Sequence, residues 1–409
     1  MNKILIKNIG ELLRGRNGSL EILHDKELLL SEGKIESVGK ADEFSEEGRE
    51  VIDAGNSLVT PGLIDPHTHL VFFGTREDEF EMRIKGASYM EIAEAGGGIR
   101  KSVKMLRNAS EDDLVEHSLP YLESMLRHGT TTVEVKSGYG LSLKDELKSL
   151  RALKRLNEMQ KVDLVATFLG AHEFPDEYRG TNSTDREKYI EIIINEMIPA
   201  VVEEGLAEFC DIFTEEGVFT VAESEKILTA ASDAGLGLKL HAEEFEPIGG
   251  AELAAKVNAV SADHLVVVSD EGIRSLKEAD VTPVLLPGTT FFLGSDRYAP
   301  ARKMIDAGLR PAVATDFNPG SSMTESLQII LTIACLKLKL TPLEAFEAVT
   351  LNAAKALNRS NSIGSLEPGM KSDIVIWNAD NHKQIPYHYG VNNVRMVIKG
   401  GEMVFSFSG

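Results

Sequence analysis

The chain reads as an α/β protein, a (β/α)8 TIM barrel with a small β-rich satellite domain built from both chain ends, and three observations predict this. After Pro61, buried apolar runs alternate with helical stretches, the pattern of parallel βαβ units. Eight of those runs end near His69, Lys136, Ala171, Thr214, His241, His264, Leu286 and Asp316, and eight parallel strands close naturally into a barrel. The two ends of the chain read instead as short strands and turns, and neither buries an apolar face alone, so they should meet in one sheet. The expected division is 1–60 and 364–409 for the satellite and 61–363 for the barrel.

Taken in order, the N-terminal part should hold strands at 3–6, 27–30, 34–38 and 50–52, punctuated by Gly18, Gly33, Gly39 and Gly55. Helical periodicity follows at 112–128, 143–159, 185–204, 222–234, 322–338 and 341–357. Strand character returns at 373–377 and 394–398, with a turn at 399–402 and a last strand at 403–404.

Of 409 residues, 43% are hydrophobic and 26% charged, the balance of an ordinary folded domain rather than a disordered chain. Acidic residues outnumber basic ones 64 to 43, and the resulting charge of −21 repels phosphate backbones and anionic lipid. Neither nucleic acid nor a membrane is therefore an expected partner. Cys210 and Cys335 are the only cysteines, too few for a disulfide framework, which points to a reducing, cytoplasmic setting. Lys7 interrupts any leader-like apolar run, and no window approaches the roughly 18 apolar residues of a membrane span.

Chemistry is signalled by histidine placement. His67 and His69 bracket Thr68 at the end of an apolar run, and residues two apart on a strand face the same side. Two neutral imidazoles there make half of a first-row metal site at the C-terminal mouth of a barrel. His241 ends the run Gly237-Leu238-Lys239-Leu240-His241, His264 ends Ala262-Asp263-His264, and Asp316 ends Ala312-Val313-Ala314-Thr315-Asp316. Three histidines and one aspartate suit zinc or iron, and a bound ion lowers the pKa of water toward about 7. The centre should be mononuclear, because Phe209-Cys210-Asp211-Ile212-Phe213-Thr214 offers no lysine to bridge a second ion. Hydrolysis or hydrolytic deamination is the expected chemistry.

These residues resemble the amidohydrolase superfamily: His67-x-His69, the strand-end His241 and His264, Asp316 and the split β-rich ends. Longer strings resemble the imidazolonepropionase family within it. They are Asp65-Pro66-His67-Thr68-His69-Leu70-Val71-Phe72, Gly74-Thr75-Arg76, Lys136-Ser137-Gly138-Tyr139-Gly140 and Leu169-Gly170-Ala171-His172. Further on come His241-Ala242-Glu243-Glu244, Ser261-Ala262-Asp263-His264-Leu265 and Thr315-Asp316-Phe317-Asn318-Pro319-Gly320-Ser321-Ser322. The resemblance implies ring opening of 4-imidazolone-5-propanoate by water, giving N-formimidoyl-L-glutamate, with one Zn2+ or Fe3+ per subunit and a homodimer. It implies His67, His69, His241 and Asp316 as ligands, Asp316 also relaying the water proton, and His264 stabilising the carbonyl oxygen. The alternative within the superfamily is a deaminase of a nucleobase or related heterocycle, which needs no propanoate clamp. A catalytically dead barrel kept for binding would be expected to have lost ligands, and all of them are present.

The propanoate calls for a cation, and Arg76 follows the metal motif closely enough to present its guanidinium fork over the mouth. Tyr139 is expected to bind the same carboxylate, His172 a ring carbonyl or nitrogen, and Glu244, rather than Glu243, a ring N–H or the water. Asn318, Gly320 and Ser321 should present amide and backbone groups to the substrate, although for Gly320 the sharp turn the loop must make is an equally good explanation. Gly96-Gly97-Gly98 lacks the Gly-Lys-Ser/Thr of a phosphate loop and reads as a lid segment. His128, before Gly129, reads as a helix C-terminus. His24, His117, His382 and His388 receive no catalytic role, and Cys210 and Cys335 read as buried packing residues.

Overall fold

The computed structural model describes residues 3–87, 91, 96–179 and 183–407. Five strands come first: β1 Lys3–Arg16, β2 Ser19–Leu23, β3 Lys26–Ser31, β4 Lys34–Lys40 and β5 Arg49–Pro61. Eight short strands follow: β6 Leu63–Asp65, β7 Thr130–Lys136, β8 Asp163–Ala171, β9 Phe209–Thr214, β10 Gly237–Ala242, β11 Ser261–His264, β12 Thr282–Leu285 and β13 Ala312–Val313. Three more end the chain: β14 Ile374–Trp377, β15 Val394–Lys399 and β16 Glu402–Ser406.

The terminal strands form one sheet in the order β16-β15-β14-β5-β1-β3-β4, with β2 paired to β1. The two chain ends meet where β14 runs antiparallel to β5, placing Val375 opposite Thr60. Alternating side chains supply the buried face, with Ile6, Leu12, Leu28, Ile35, Val59, Ile376 and Ile398 packed together. Buried Trp377 donates from Nε1 to Thr60 Oγ1 at 2.9 Å, satisfying its one polar atom.

The middle strands form a second sheet in strict sequence order, β6 to β13, all parallel. First and last strands meet just beyond their formal ends. Asp316 N–H donates to the His67 carbonyl at 3.1 Å, His69 N–H donates to the Phe317 carbonyl at 2.9 Å, and Thr68 bridges Phe317 in parallel. The seam that closes the barrel is thus the segment carrying three predicted metal ligands. Fully buried Asp65 reinforces it, accepting from Thr315 N–H at 3.1 Å and Thr315 Oγ1 at 2.6 Å.

The helix at Leu143–Met159 has the expected bounds because Ser142 caps it, accepting from Asp145 N–H. The stretch expected at 341–357 divides into Pro342–Ala348 and Leu351–Ala356, interrupted at Thr350, whose φ of −130° and ψ of −89° leave the helical region. The stretch expected from 322 becomes helical only at Leu327, because Ser322 Oγ is tied to the Thr315 carbonyl at 2.6 Å. His128 does end its helix, its Nδ1–H donating to the Ser124 carbonyl.

Candidate metal centre

His67, His69 and His241 point into the barrel mouth, with their ligand-type nitrogens within 4.8 Å of one another and all three rings buried. His67 Nδ1 lies 2.6 Å from Asp263 Oδ2 and His241 Nδ1 lies 3.2 Å from Asp211 Oδ1. A carboxylate only accepts, so each Nδ1 carries the proton and each Nε2 keeps its lone pair for the site. His69 Nε2 is 3.3 Å from His241 Nε2, and Asp316 Oδ1 is 3.5 Å from Nε2 of both His67 and His69. Buried His67 Nε2 has no hydrogen-bond partner. Several lone pairs converging on one point repel unless a cation lies between them, so these residues fit a metal ion. Burial holds His67 and His69 well below the ordinary histidine pKa, which keeps both in the neutral, ligating form.

Asp316 Oδ2 accepts from Thr289 Oγ1 at 2.5 Å, and burial raises its carboxyl to about 6. His264, whose ring is 5.2 Å from His241 and 5.6 Å from His67, adjoins the three-histidine group without belonging to it. Its Nδ1 is 3.6 Å from Glu244 Oε2, and burial, with repulsion from Asp316 and Glu215, pushes Glu244 well above the usual carboxylate range. Glu243 turns the other way, its carboxylate meeting Ala251 N–H at 3.5 Å. His264, Asp316 and Glu243 all have left-handed backbones, with φ of 74°, 53° and 55°. Strained non-glycine backbone is thereby gathered at the rim of the mouth.

On the opposite side, His172 stacks on His69 at 4.9 Å and donates from Nδ1 to the Gly138 carbonyl at 3.0 Å, which leaves Nε2 as an acceptor. Tyr139 is buried beside both rings, in a loop held by Glu146. The Glu146 carboxylate accepts from Gly138, Gly140 and Leu141 N–H at 3.1, 2.8 and 2.7 Å. Arg76 is paired with Glu79 at 2.8 Å and lies against Gly320, where an added Cβ would meet Arg76 Nη1 at 2.4 Å. Gly320 therefore makes room for the guanidinium; its φ is not positive, so turn strain does not account for it. Asn318 is engaged inside its own loop, donating to the Asp316 carbonyl at 2.7 Å and accepting from Gly320 and Ser321 N–H at 2.8 Å each. Ser321 Oγ meets the same side chain, so these three residues shape the loop beside the mouth. Gly98 precedes the helix Ile99–Asn108 with φ 78°, and Gly96 and Gly97 line an 880 Å³ cavity beside Glu79, Leu141 and Glu173 rather than over the histidines.

Several residues escaped the sequence reading. Arg83 donates to the Gly320 carbonyl at 2.8 Å and lies close enough to Arg76 to feel its charge. Asp211 and Asp263 orient two histidines, Thr289 holds Asp316, and Glu146 holds the Tyr139 loop. The available signal was a charged residue inside an apolar strand, as Lys239 stands two positions before the predicted ligand His241.

Barrel, satellite sheet and histidine-lined mouth together define an amidohydrolase, and the sequence profile of the Amidohydrolase family matches residues 58–404. An imidazolonepropionase of Bacillus velezensis is 52% identical over 99% of this chain and 97% of its own length. One from Geobacillus thermodenitrificans is 52% identical over 96% and 93%. The chain belongs to the amidohydrolase family and, within it, to the imidazolonepropionases, hydrolases of a cyclic-amide C–N bond. Solved structures share the fold at lower identity. A zinc-complexed atrazine chlorohydrolase from Arthrobacter aurescens superimposes with TM-score 0.77 at 18% identity over 98% of this chain and 95% of that one. A 5-methylcytosine deaminase from Klebsiella pneumoniae gives 0.76 at 18% over 100% and 98%.

Proposed function

We propose that this chain opens 4-imidazolone-5-propanoate with water, using one zinc or iron ion per subunit held by His67, His69, His241 and Asp316. The observation that carries the reading is His67 Nε2, buried without a partner and aimed where Asp316 Oδ1 and two further imidazoles converge. When bound, the ion lowers the pKa of water toward about 7 and polarises the lactam carbonyl.

The chain's own groups do the rest. Arg76, backed by Glu79 and lying on Gly320, grips the propanoate with its guanidinium, and Tyr139 shares that carboxylate. His172 Nε2 accepts a ring N–H. Asp316 takes a proton from the attacking water and delivers it to the ring nitrogen as the C–N bond breaks. His264 donates to the carbonyl oxygen as it gains charge, and Glu244 beside it orients the reacting groups. Asn318, Gly320 and Ser321 fix the loop that shapes this side of the site.

The chain acts in the cytoplasm as a homodimer, with neither nucleic acid nor membrane as partner. A net charge of −21 supports the last point, and exposed Leu336, Tyr387 and Tyr389 along a 600 Å³ apolar groove offer a face for a second copy. Among the described residues no helix is long and apolar enough to cross a membrane. Light scattering on purified protein tests the dimer.

The activity is tested by following the ultraviolet absorbance of freshly generated 4-imidazolone-5-propanoate. Chelator-sensitive loss of the chromophore with formiminoglutamate appearing is the expected result; no turnover by a metal-loaded sample would overturn the substrate assignment.

A further inference from the structure

Directly beneath the three histidines lies a layer of charge that the reaction itself does not use. Glu134, Lys136, Asp211, Lys239 and Asp263 are all fully buried, on four different barrel strands. Lys136 Nζ is 2.6 Å from Asp211 Oδ2, 2.9 Å from Glu134 Oε1 and 3.4 Å from Asp263 Oδ2. Lys239 Nζ reaches the other oxygen of Glu134 at 3.1 Å, and Thr167 Oγ1 donates to that carboxylate at 2.5 Å. The two aspartates touching Lys136 are the two that fix His241 and His67, through 3.2 and 2.6 Å contacts to Nδ1.

We infer that Lys136 is a positioning residue for the metal centre, its ammonium tying Asp211 to Asp263 so that His241 and His67 present Nε2 to a single ion. The geometry carries this through a chemical argument. A buried carboxylate hydrogen-bonded to a ligand imidazole sets the tautomer, the ring orientation and the basicity of that ligand. Two such carboxylates sharing a cavity repel and swing apart unless a cation lies between them. Lys136 is that cation, and Glu134 prevents its chain from moving off toward either aspartate alone. The assignment also explains why a lysine stands fully buried on β7, where an uncompensated charge is costly.

The inference rests on the metal reading above, and the experiment separates the two. Zn2+ affinity is measured by competition with a chromophoric chelator for the wild type, for Lys136→Met and for Lys136→Met/Glu134→Gln. The double variant removes one charge of each sign, so the buried layer keeps the net charge of the wild type. Loss of a partner behind metal ligands typically lowers affinity 10–100-fold. A loss of roughly that size is expected in both variants, with a changed visible spectrum of the Co2+-loaded double variant reporting altered ligand geometry. Affinity within twofold of wild type in either folded variant, with an unaltered Co2+ spectrum, would overturn the role of Lys136. Failure of the wild type itself to bind Zn2+ would instead overturn the metal reading.

Discussion

The two eight-stranded sheets of this molecule solve burial in opposite ways. The satellite sheet hides Ile6, Leu12, Leu28, Val59 and Ile376 against one another, so its interior follows directly from apolar alternation. The barrel, just below its mouth, hides Glu134, Lys136, Asp211, Lys239 and Asp263, side chains that stay buried only because each is paired. The first arrangement is bought with hydrophobic area and tolerates any side chain of similar shape. The second depends on specific atoms and exists to aim imidazoles. Stability and chemistry are therefore separable here, and substitutions in the two sheets should move different observables.

The largest effect belongs to the mouth. Asp316→Asn keeps the side-chain volume but removes the carboxylate proposed as both anionic ligand and proton carrier. Loss of a positioned acid–base group lowers kcat by roughly 10²–10⁴-fold. Steady-state assays should show a fall of that order with melting temperature nearly unchanged; near-wild-type turnover would refute the assignment of Asp316. Leu28→Ala in the satellite is the counter-experiment. Leu28 is fully buried, and such truncations cost about 2–5 kcal/mol of stability. Denaturant unfolding should register that loss while KM at 25 °C stays where it was, and a large KM change would break the proposed separation.

Gly320→Ala sharpens the contrast within the mouth. The new methyl would stand 2.4 Å from Arg76 Nη1, so the guanidinium must shift. A hydrogen bond to a charged group is worth about 1.5–3 kcal/mol, and partial loss should raise KM roughly tenfold with a smaller change in kcat. Arg76→Ala should raise KM further. A deaminase of an uncharged heterocycle would be indifferent to both substitutions.

How far the sequence reveals each region follows from the same contrast. The helix at Leu143–Met159 is legible to the residue because Ser142 supplies a cap, and the barrel strands are legible as apolar runs between helices, four of them ending in a histidine or an aspartate. β1 reads as four residues yet extends to Arg16, since Asn8, with φ 54°, and the register shift between Ile6 and Ile9 interrupt the alternation that marks a strand. The break at Thr350 carries no glycine or proline to announce it. The charged layer is hidden for a different reason: Lys136 and Asp211 are residue types expected at the surface, and only their partners, distant in sequence, make burial tolerable. Arg83 is silent too, because its reach to Gly320 spans 237 positions.

The smallest effect tests whether a charge in the satellite matters at all. Buried Glu11 on β1 accepts from both His382 N–H, at 2.9 Å, and His382 Nδ1–H, at 2.6 Å, clasping the two chain ends. Burial alone would raise the Glu11 carboxyl, but the hydrogen bonds from His382 outweigh it, and its pKa lies below the ordinary 4.5. A depressed folded-state pKa means the pair stabilises above the unfolded value and loses that contribution as pH falls through the folded one. Glu11→Gln should therefore be less stable than wild type by about 1 kcal/mol near neutrality, with the gap closing as pH falls below the ordinary 4.5 and through the depressed folded-state pKa. Urea titrations across that range measure it. A gap that stays constant into acid would mean that shape, not charge, holds the clasp, and the satellite would then be apolar in its energetics throughout.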